Sequence, residues 1–137
     1  MNYILAIDQG TSSSRAIVFD DVGNPVGEGS CSFDQIFPRD GWVEQDPEVI
    51  WNTTLKAARE AIASSPVEAA GIAAIGIANQ RETTLLWDAE SGQAVHNAIV
   101  WQDRRTAERC VQMQSDGMAR TVNDVTGLVI DPYFSST

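Results

Sequence analysis

The polar run from position 8 to position 15 lies between two apolar segments and combines residue types that bind phosphate. Gly10 allows a close backbone turn, and the backbone N–H groups after it can form a concave array of donors for an anion. Three hydroxyl residues follow it: Thr11, Ser12 and Ser13. Arg15 adds a guanidinium that can bind phosphate through two hydrogen bonds. The run therefore predicts a site for the phosphates of a nucleotide.

Asp8 is the candidate metal ligand of this run. It follows the apolar segment 3–7 and so lies at the end of a predicted strand. A rigid strand end suits a carboxylate that meets Mg²⁺, an ion that prefers oxygen ligands. By itself, however, the motif is equally typical of an ordinary polar hairpin, in which Asp and Gly form the turn.

Composition and charge exclude several classes of function. Nine basic and nineteen acidic residues give a net charge of −10, which repels nucleic acid and anionic membranes. Lys56 is the only lysine and belongs to a helical pattern, so a lysine-containing P-loop is excluded. The spacing of Cys31 and Cys110 indicates neither a zinc site nor a disulfide framework, and reduced thiols in the cytoplasm are expected. No secretion signal or membrane span is expected.

The first part of the chain predicts three strands and a helix. The strands are expected over 3–7, 16–19 and 26–33. The helix is expected over 47–63, because Asp46 is a typical N-cap residue and Pro47 suits the first helical position. The apolar residues expected on the inward face of this helix are Trp51, Leu55, Ala58 and Ile62.

The second part continues with strands and a further helix. The segment 71–78 is short and rich in small apolar residues, which favours a strand buried on both faces and parallel to an earlier strand. Another strand is predicted over 82–88, an apolar segment over 97–101 and a second helix over 103–118. The inward residues of that helix are predicted to be Ala107, Cys110, Val111 and Met113. No helical period is found over 123–137.

The order of these elements predicts an α/β fold with a mixed sheet of about five strands and flanking helices. It matches the half-domain shared by actin, the heat-shock ATPases and the sugar kinases, which is the actin-like or ribonuclease-H-like ATPase fold. In that half-domain the turn between the first two strands holds the nucleotide phosphates. One domain over 1–137 is expected.

Five blocks make the resemblance more specific: 8–16, 41–47, 76–84, 97–106 and 126–135. Together they resemble the FGGY family of carbohydrate kinases, and the third and fifth resemble its members that phosphorylate glycerol. The resemblance implies transfer of a phosphoryl group from MgATP to glycerol, giving ADP and sn-glycerol 3-phosphate. It also implies that 1–137 is the amino-terminal domain of a longer cytoplasmic protein, whose carboxyl-terminal ATPase lobe and catalytic base lie downstream. The isolated chain is therefore expected to be inactive, and a homo-oligomer of the full-length protein is left open.

The resemblance assigns glycerol contacts to Thr11, Arg81, Glu82, Trp101 and Tyr133. These side chains suit a triol, which needs hydrogen-bond donors and acceptors and an aromatic wall for its carbon atoms. Each also has a structural alternative: the adjacent arginine and glutamate as an exposed ion pair, the tryptophan in a core, and the tyrosine as a loop anchor. Neighbouring residues on a regular strand point to opposite faces, so the functional interpretation predicts an irregular backbone over 79–81.

Two other functions remain compatible with the sequence. Another FGGY kinase, acting on a polyol such as erythritol or on a pentulose, would keep the phosphate turn and differ in the block 76–84. A non-catalytic, actin-like nucleotide-binding module would also account for the run 8–15. That module would leave the residues assigned to the triol without a purpose.

Overall fold

The computed structural model describes residues 2–137, which form two compact units. Unit one comprises the chain up to Asp34 together with Asp46–Gln80, and unit two comprises Gln35–Gln45 and Arg81–Thr137. The strands are β1 (Tyr3–Gln9), β2 (Ser13–Phe19), β3 (Pro25–Ser32), β4 (Glu44–Gln45), β5 (Ile72–Asn79) and β6 (Ala98–Ile99). The α-helices are α1 (Pro47–Ala63), α2 (Ala107–Ser115) and α3 (Ala119–Thr126). A 3₁₀ turn at Ala69–Gly71 leads into β5.

Unit one contains a four-stranded mixed sheet in the order β3-β2-β1-β5. The pairs β1–β2 and β2–β3 are antiparallel, and β5 runs parallel to β1, with Ala6 opposite Gly76. The predicted mixed sheet and its parallel crossover are therefore confirmed. The crossover passes through α1, which packs mainly against β2 and β3.

Helix α1 has the predicted bounds, because its amino terminus is capped as expected. The Asp46 carboxylate accepts a hydrogen bond from the Glu48 N–H at 2.8 Å. The predicted inward face was wrong at Trp51, which is 59% exposed, whereas Ala57 and Ala61 are fully buried. These two alanines face Gly27 and Gly29 of β3, where a Cβ atom would collide with the helix backbone. Close approach of helix and strand thus decides which face of the helix is buried.

Strand β5 is present, but the prediction that both of its faces are buried was wrong. Ile75 and Ile77 are 60% and 72% exposed. The strand lies at one edge of the sheet, and α1 covers mainly the two strands at the other side. A strand of apolar composition can therefore have exposed side chains within unit one.

Unit two contains less regular structure than predicted. Strand β4 pairs antiparallel with β6, and the predicted strand 82–88 was wrong, because this segment forms only isolated bridges at Thr84 and Trp87. The second helix begins four residues later than predicted, at Ala107, and is interrupted near Gly117, which has a φ of 77°. Residues 119–126 then form α3, so the expectation of no helix over 123–137 was wrong at 123–126.

Side chains explain the late start of α2. The Asp103 carboxylate accepts the Arg105 N–H at 2.8 Å, which holds the segment before the helix in a local turn. On the helix itself Cys110 is buried as predicted, whereas Val111 is 63% exposed. Cys31 and Cys110 are both free thiols. Of the helices within residues 2–137, none combines the length and the apolar character that crossing a membrane requires.

Candidate active site

In unit one, the predicted phosphate turn is a tight connection between β1 and β2. The Gly10 N–H donates to the Ser13 carbonyl oxygen at 2.9 Å, and the Phe33 N–H donates to the Ser12 carbonyl oxygen at 3.2 Å. A Cβ on Gly10 would lie 3.0 Å from the Ser13 oxygen, so a larger residue would crowd the turn. Ser13 and Arg15 belong to β2 and not to the turn itself.

A pair of glutamines supports the turn, and the sequence reasoning did not find it. The Gln80 N–H donates to the Gln9 carbonyl oxygen at 2.7 Å, and the two side chains are hydrogen-bonded at 3.2 Å. The Gln9 side chain also donates to the Gly10 carbonyl oxygen at 2.8 Å. The parallel pairing of β1 and β5 brings them together, because Gln9 is opposite Asn79 and Gln80 follows it. The available signal for this contact was that each of the two glutamines comes shortly after an apolar segment of the sequence.

Ser14 is the hydroxyl of the run that supports the fold. It is fully buried, and its Oγ atom lies 3.2 Å and 3.1 Å from the hydroxyls of Thr53 and Thr54 on α1. Ser12 by contrast is exposed. The run therefore contains both a hydroxyl that joins the helix to the sheet and an exposed hydroxyl in the turn.

Asp8 and Arg15 are directly opposite each other on β1 and β2. Both are exposed, and they line an open cavity of about 500 Å³ together with Gly76 and Ala78. The Nε atom of Arg15 forms an ion pair with Glu28 at 2.8 Å. The guanidinium retains its other donors for a ligand. The structure thus brings a carboxylate and a cation together beside the turn.

In unit two, the backbone is irregular at the residues predicted to bind a polyol. Strand β5 ends at Asn79, and within residues 2–137 Glu82 is the only residue other than glycine with a positive φ, at 63°. The predicted irregularity is therefore confirmed. Residues other than glycine rarely adopt this conformation, and its strain is often found at functional sites.

The Glu82 carboxylate is held in place by the loop near position 135. Its Oε2 atom accepts hydrogen bonds from the N–H and the hydroxyl of Ser135, both at 3.0 Å. In the same loop, Asp131 accepts the Tyr133 N–H at 2.8 Å and forms an ion pair with Arg104 at 3.1 Å. Two separate segments of unit two are therefore tied together at the candidate site.

Aromatic rings form one wall of this site. Trp101 and Tyr133 contact each other edge to face with 5.6 Å between ring centroids, and Tyr133 contacts Phe134 at 5.0 Å. Glu82, Trp101 and Ser135 line a cavity of about 170 Å³ within unit two. Neither Tyr133 nor Arg81 lines it: Tyr133 contacts Trp101, and Arg81 is exposed. The structure therefore places two of the four predicted polyol residues of this unit, Glu82 and Trp101, on the cavity.

A buried charge network lies beside this cavity, and the sequence did not indicate the role of its arginine. Arg105 contacts Glu44 at 2.7 Å and Asp103 at 2.9 Å. Its guanidinium stacks on Trp42, 3.9 Å from the ring centroid. The Val43 N–H donates to Asp103 at 2.7 Å, so the network joins the loop 35–45 to the segment after β6. No spacing in the sequence indicated that these residues meet.

The network determines the charges of its members. Burial raises the pKa of Glu44 and of Asp103, but their hydrogen bonds and the charge of Arg105 together outweigh it, and both pKa values lie below their ordinary range. A hydrogen bond from Asn97 at 3.0 Å contributes at Glu44. The pKa of Arg105 is raised, chiefly by its hydrogen bonds to Asp103. All three groups are therefore ionised near neutral pH.

Comparison with known proteins identifies the family. The model for the FGGY family of carbohydrate kinases, N-terminal domain, matches residues 3–137. The chain belongs to this family. It is 61% identical over 135 residues to a glycerol kinase of Ectopseudomonas mendocina, a match that covers 98% of this chain and 27% of that protein. The chain thus spans little more than a quarter of the length of the curated FGGY relatives it matches.

Solved FGGY kinases share the fold. A Plasmodium falciparum glycerol kinase with ADP superimposes with a TM-score of 0.90 at 34% identity, covering 98% of this chain and 27% of that one. A xyloylose kinase of Brucella ovis superimposes with a TM-score of 0.85 at 31% identity, covering 97% and 27%. The predicted α/β class and the actin-like or ribonuclease-H-like fold are thereby confirmed.

Proposed function

We propose that the protein phosphorylates glycerol with ATP and Mg²⁺ as an FGGY kinase. The cavity of about 170 Å³ beside Glu82 and Trp101 carries this proposal. It is smaller than the roughly 300–1,000 Å³ of sites for drug-sized ligands, and it combines a carboxylate with an aromatic wall. These are the properties that a small polyol requires. Identity of 61% to a glycerol kinase supports the choice of glycerol.

Each unit contributes its own part of the binding chemistry. In unit one, the turn residues Gly10, Thr11, Ser12 and Ser13 are proposed to bind phosphate oxygens, and Arg15 adds a positive charge. In unit two, Glu82 accepts hydrogen bonds from substrate hydroxyls, and Trp101 and Tyr133 contact its carbon atoms. Arg81 is proposed as a donor to the substrate, and Thr11 as a further contact. Transfer of a phosphoryl group depends chiefly on such positioning and on neutralising charge.

Asp8 fits a Mg²⁺ ion that accompanies the nucleotide. Within residues 2–137 there is no group of three or more His, Cys, Asp or Glu residues that could enclose a metal. Mg²⁺ commonly binds one or two carboxylates and otherwise water and substrate phosphates, so a single exposed carboxylate beside the phosphate turn is suitable. When bound, the ion would neutralise charge on the transferred phosphoryl group.

The catalytic base is proposed to lie outside this chain, in the part of the FGGY relatives that it does not span. Two carboxylates line the cavity: Asp103 is paired with Arg105, and Ser135 binds one oxygen of Glu82, so Glu82 is better suited to hold the substrate than to accept a proton. The isolated 137 residues are accordingly expected to show no glycerol-dependent release of ADP. We further propose that the full-length protein acts in the cytoplasm, where both thiols remain reduced.

Phosphorylation of glycerol and of xylulose by the full-length protein tests the proposal. We expect kcat/KM for glycerol to exceed that for xylulose by about 100-fold or more, since a site built for particular hydroxyls rejects other patterns strongly. The similarity to the Brucella ovis kinase makes a pentulose the second candidate. A preference for xylulose, or binding of ATP without phosphorylation of any polyol, would contradict the proposal.

A matched pair of variants ties this activity to the cavity. E82Q removes the charged acceptor and is expected to lower kcat/KM for glycerol about 100-fold. E90Q changes an exposed glutamate in a turn of the same unit and should leave kcat/KM unchanged. Equal effects of the two substitutions would show that the cavity at Glu82 is not the polyol site.

A further inference from the structure

We infer that Ser135 is a positioning residue for the polyol, acting through Glu82. The inference rests on the proposed function and adds a residue to which no role was assigned. Ser135 presents two donors, its N–H and its hydroxyl, to the same carboxylate oxygen of Glu82, each at 3.0 Å. Hydrogen bonds to a charged acceptor are stronger than those between neutral groups. Both residues line the cavity of about 170 Å³.

The arrangement leaves one oxygen of the Glu82 carboxylate for a ligand. Among residues 2–137, both hydrogen bonds that the Glu82 side chain accepts are made by Oε2. Oε1 is therefore the oxygen that remains for a substrate hydroxyl. Fixing one oxygen of a carboxylate prevents rotation of the group about its Cγ–Cδ bond, so the position of the other oxygen is also fixed. Ser135 therefore sets the direction in which Glu82 presents its acceptor to the cavity.

The strained backbone at Glu82 supports this reading. A φ of 63° is unfavourable for a residue other than glycine and persists only where surrounding contacts impose it. Ser135 supplies such contacts from a segment 53 residues further along the chain. It also lies two residues after Tyr133, which belongs to the aromatic wall. The same two hydrogen bonds thus position the carboxylate and link its loop to that wall.

The test uses S135A and S135T in the full-length enzyme. S135A removes the hydroxyl donor but keeps the N–H, and we expect KM for glycerol to rise about tenfold with kcat within about threefold of wild type. S135T retains a hydroxyl and should restore KM to within about threefold of wild type. KM for ATP should not change in either variant, because Ser135 acts on the polyol only.

Two further measurements separate positioning from a general structural role. S136A removes the neighbouring hydroxyl, which lines a different small cavity with Met113 and Val122, and should leave KM for glycerol unchanged. In an E82Q background, S135A should lower kcat/KM by less than it does in wild type, because the two residues act as one unit. Unchanged KM in S135A, or equal effects of S135A in both backgrounds, would overturn the inference. If the proposed function itself were wrong, wild type would show no glycerol turnover, which is a different result.

Discussion

The core of unit one is apolar, whereas that of unit two combines apolar side chains, such as Val100 and Ile130, with buried ionised ones. In unit one, Leu5, Ala16 and Val18 pack against Ala57 and Ala61 of α1, and the ion pair nearest the phosphate turn lies at the surface. In unit two, Glu44 and Asp103 are buried beside Arg105. Apolar packing is non-directional, while a buried charge is tolerated only with specific partners. The two units should therefore respond differently to substitution.

This difference also bears on function. A regular sheet and helix hold the phosphate turn in unit one, so backbone geometry positions the groups there. In unit two the proposed polyol residues lie on irregular loops, and polar side chains such as Ser135 and Asp131 hold those loops in place. Such sites depend on a few hydrogen bonds with defined directions. Single polar substitutions should then alter the polyol site more than the phosphate turn.

The largest loss of stability is expected for R105M, which leaves two buried carboxylates without their cation. We expect the free energy of unfolding to fall by about 3–5 kcal/mol, measured by urea denaturation of the full-length protein. R104M is the matched control, because the Arg104–Asp131 pair is largely exposed and should contribute less than about 1 kcal/mol. Equal losses in the two variants would contradict a charged core in unit two.

Acid titration of the same variants gives a second readout. In wild type the pKa values of Glu44 and Asp103 lie below their ordinary values of 4.5 and 3.8. Their stabilising contribution is therefore complete above those values and declines as pH falls through the lowered ones. In R105M burial dominates and favours protonation, so its deficit relative to wild type should narrow as the pH is lowered below about 4.5. A constant deficit would indicate that the carboxylates are not the cause.

A smaller loss is expected for G29A, which tests close packing in unit one. The added Cβ would meet the Ala57 carbonyl oxygen, the Glu60 Cβ and the Ala61 backbone nitrogen. We expect the free energy of unfolding to fall by about 2–3 kcal/mol. G76A in β5 is the control, since nothing lies within 4 Å of a Cβ there, and it should not destabilise the protein. Destabilisation by both variants to the same extent would show that α1 is not packed closely on β3.

The smallest effect is expected for E28Q, which removes the ion pair with Arg15. The two side chains are 51% and 55% exposed, so solvent screens their attraction. We expect a change in the free energy of unfolding below about 0.5 kcal/mol, and this change should become smaller still at high salt concentration. A loss comparable to that of R105M would remove the contrast between the two units.

The accuracy of the predictions made from the sequence also differs between the two units. The bounds of α1 were correct because Asp46 and Pro47 mark its start and act locally. Periodicity could not predict that Trp51 is exposed, because the buried face of α1 is the one on which Ala57 and Ala61 pack against the glycines of β3. In unit two, the helix is interrupted by a local turn at Gly117, and the segment 82–88 forms isolated backbone bridges to Ala94 and Ile99 in place of the predicted strand.

For the candidate site, the residue types were predictable from short segments: the proposed phosphate turn after the first strand and the block around Arg81 and Glu82. These are properties of short segments, in which turn chemistry and apolar runs act over a few residues. Which of these groups meet follows only from the folded chain. It placed Ser14 in the helix contact, joined Gln9 to Gln80, and held Glu82 with Ser135. Hydrogen bonds and buried ion pairs between distant segments depend on direction and distance, which only the folded backbone supplies.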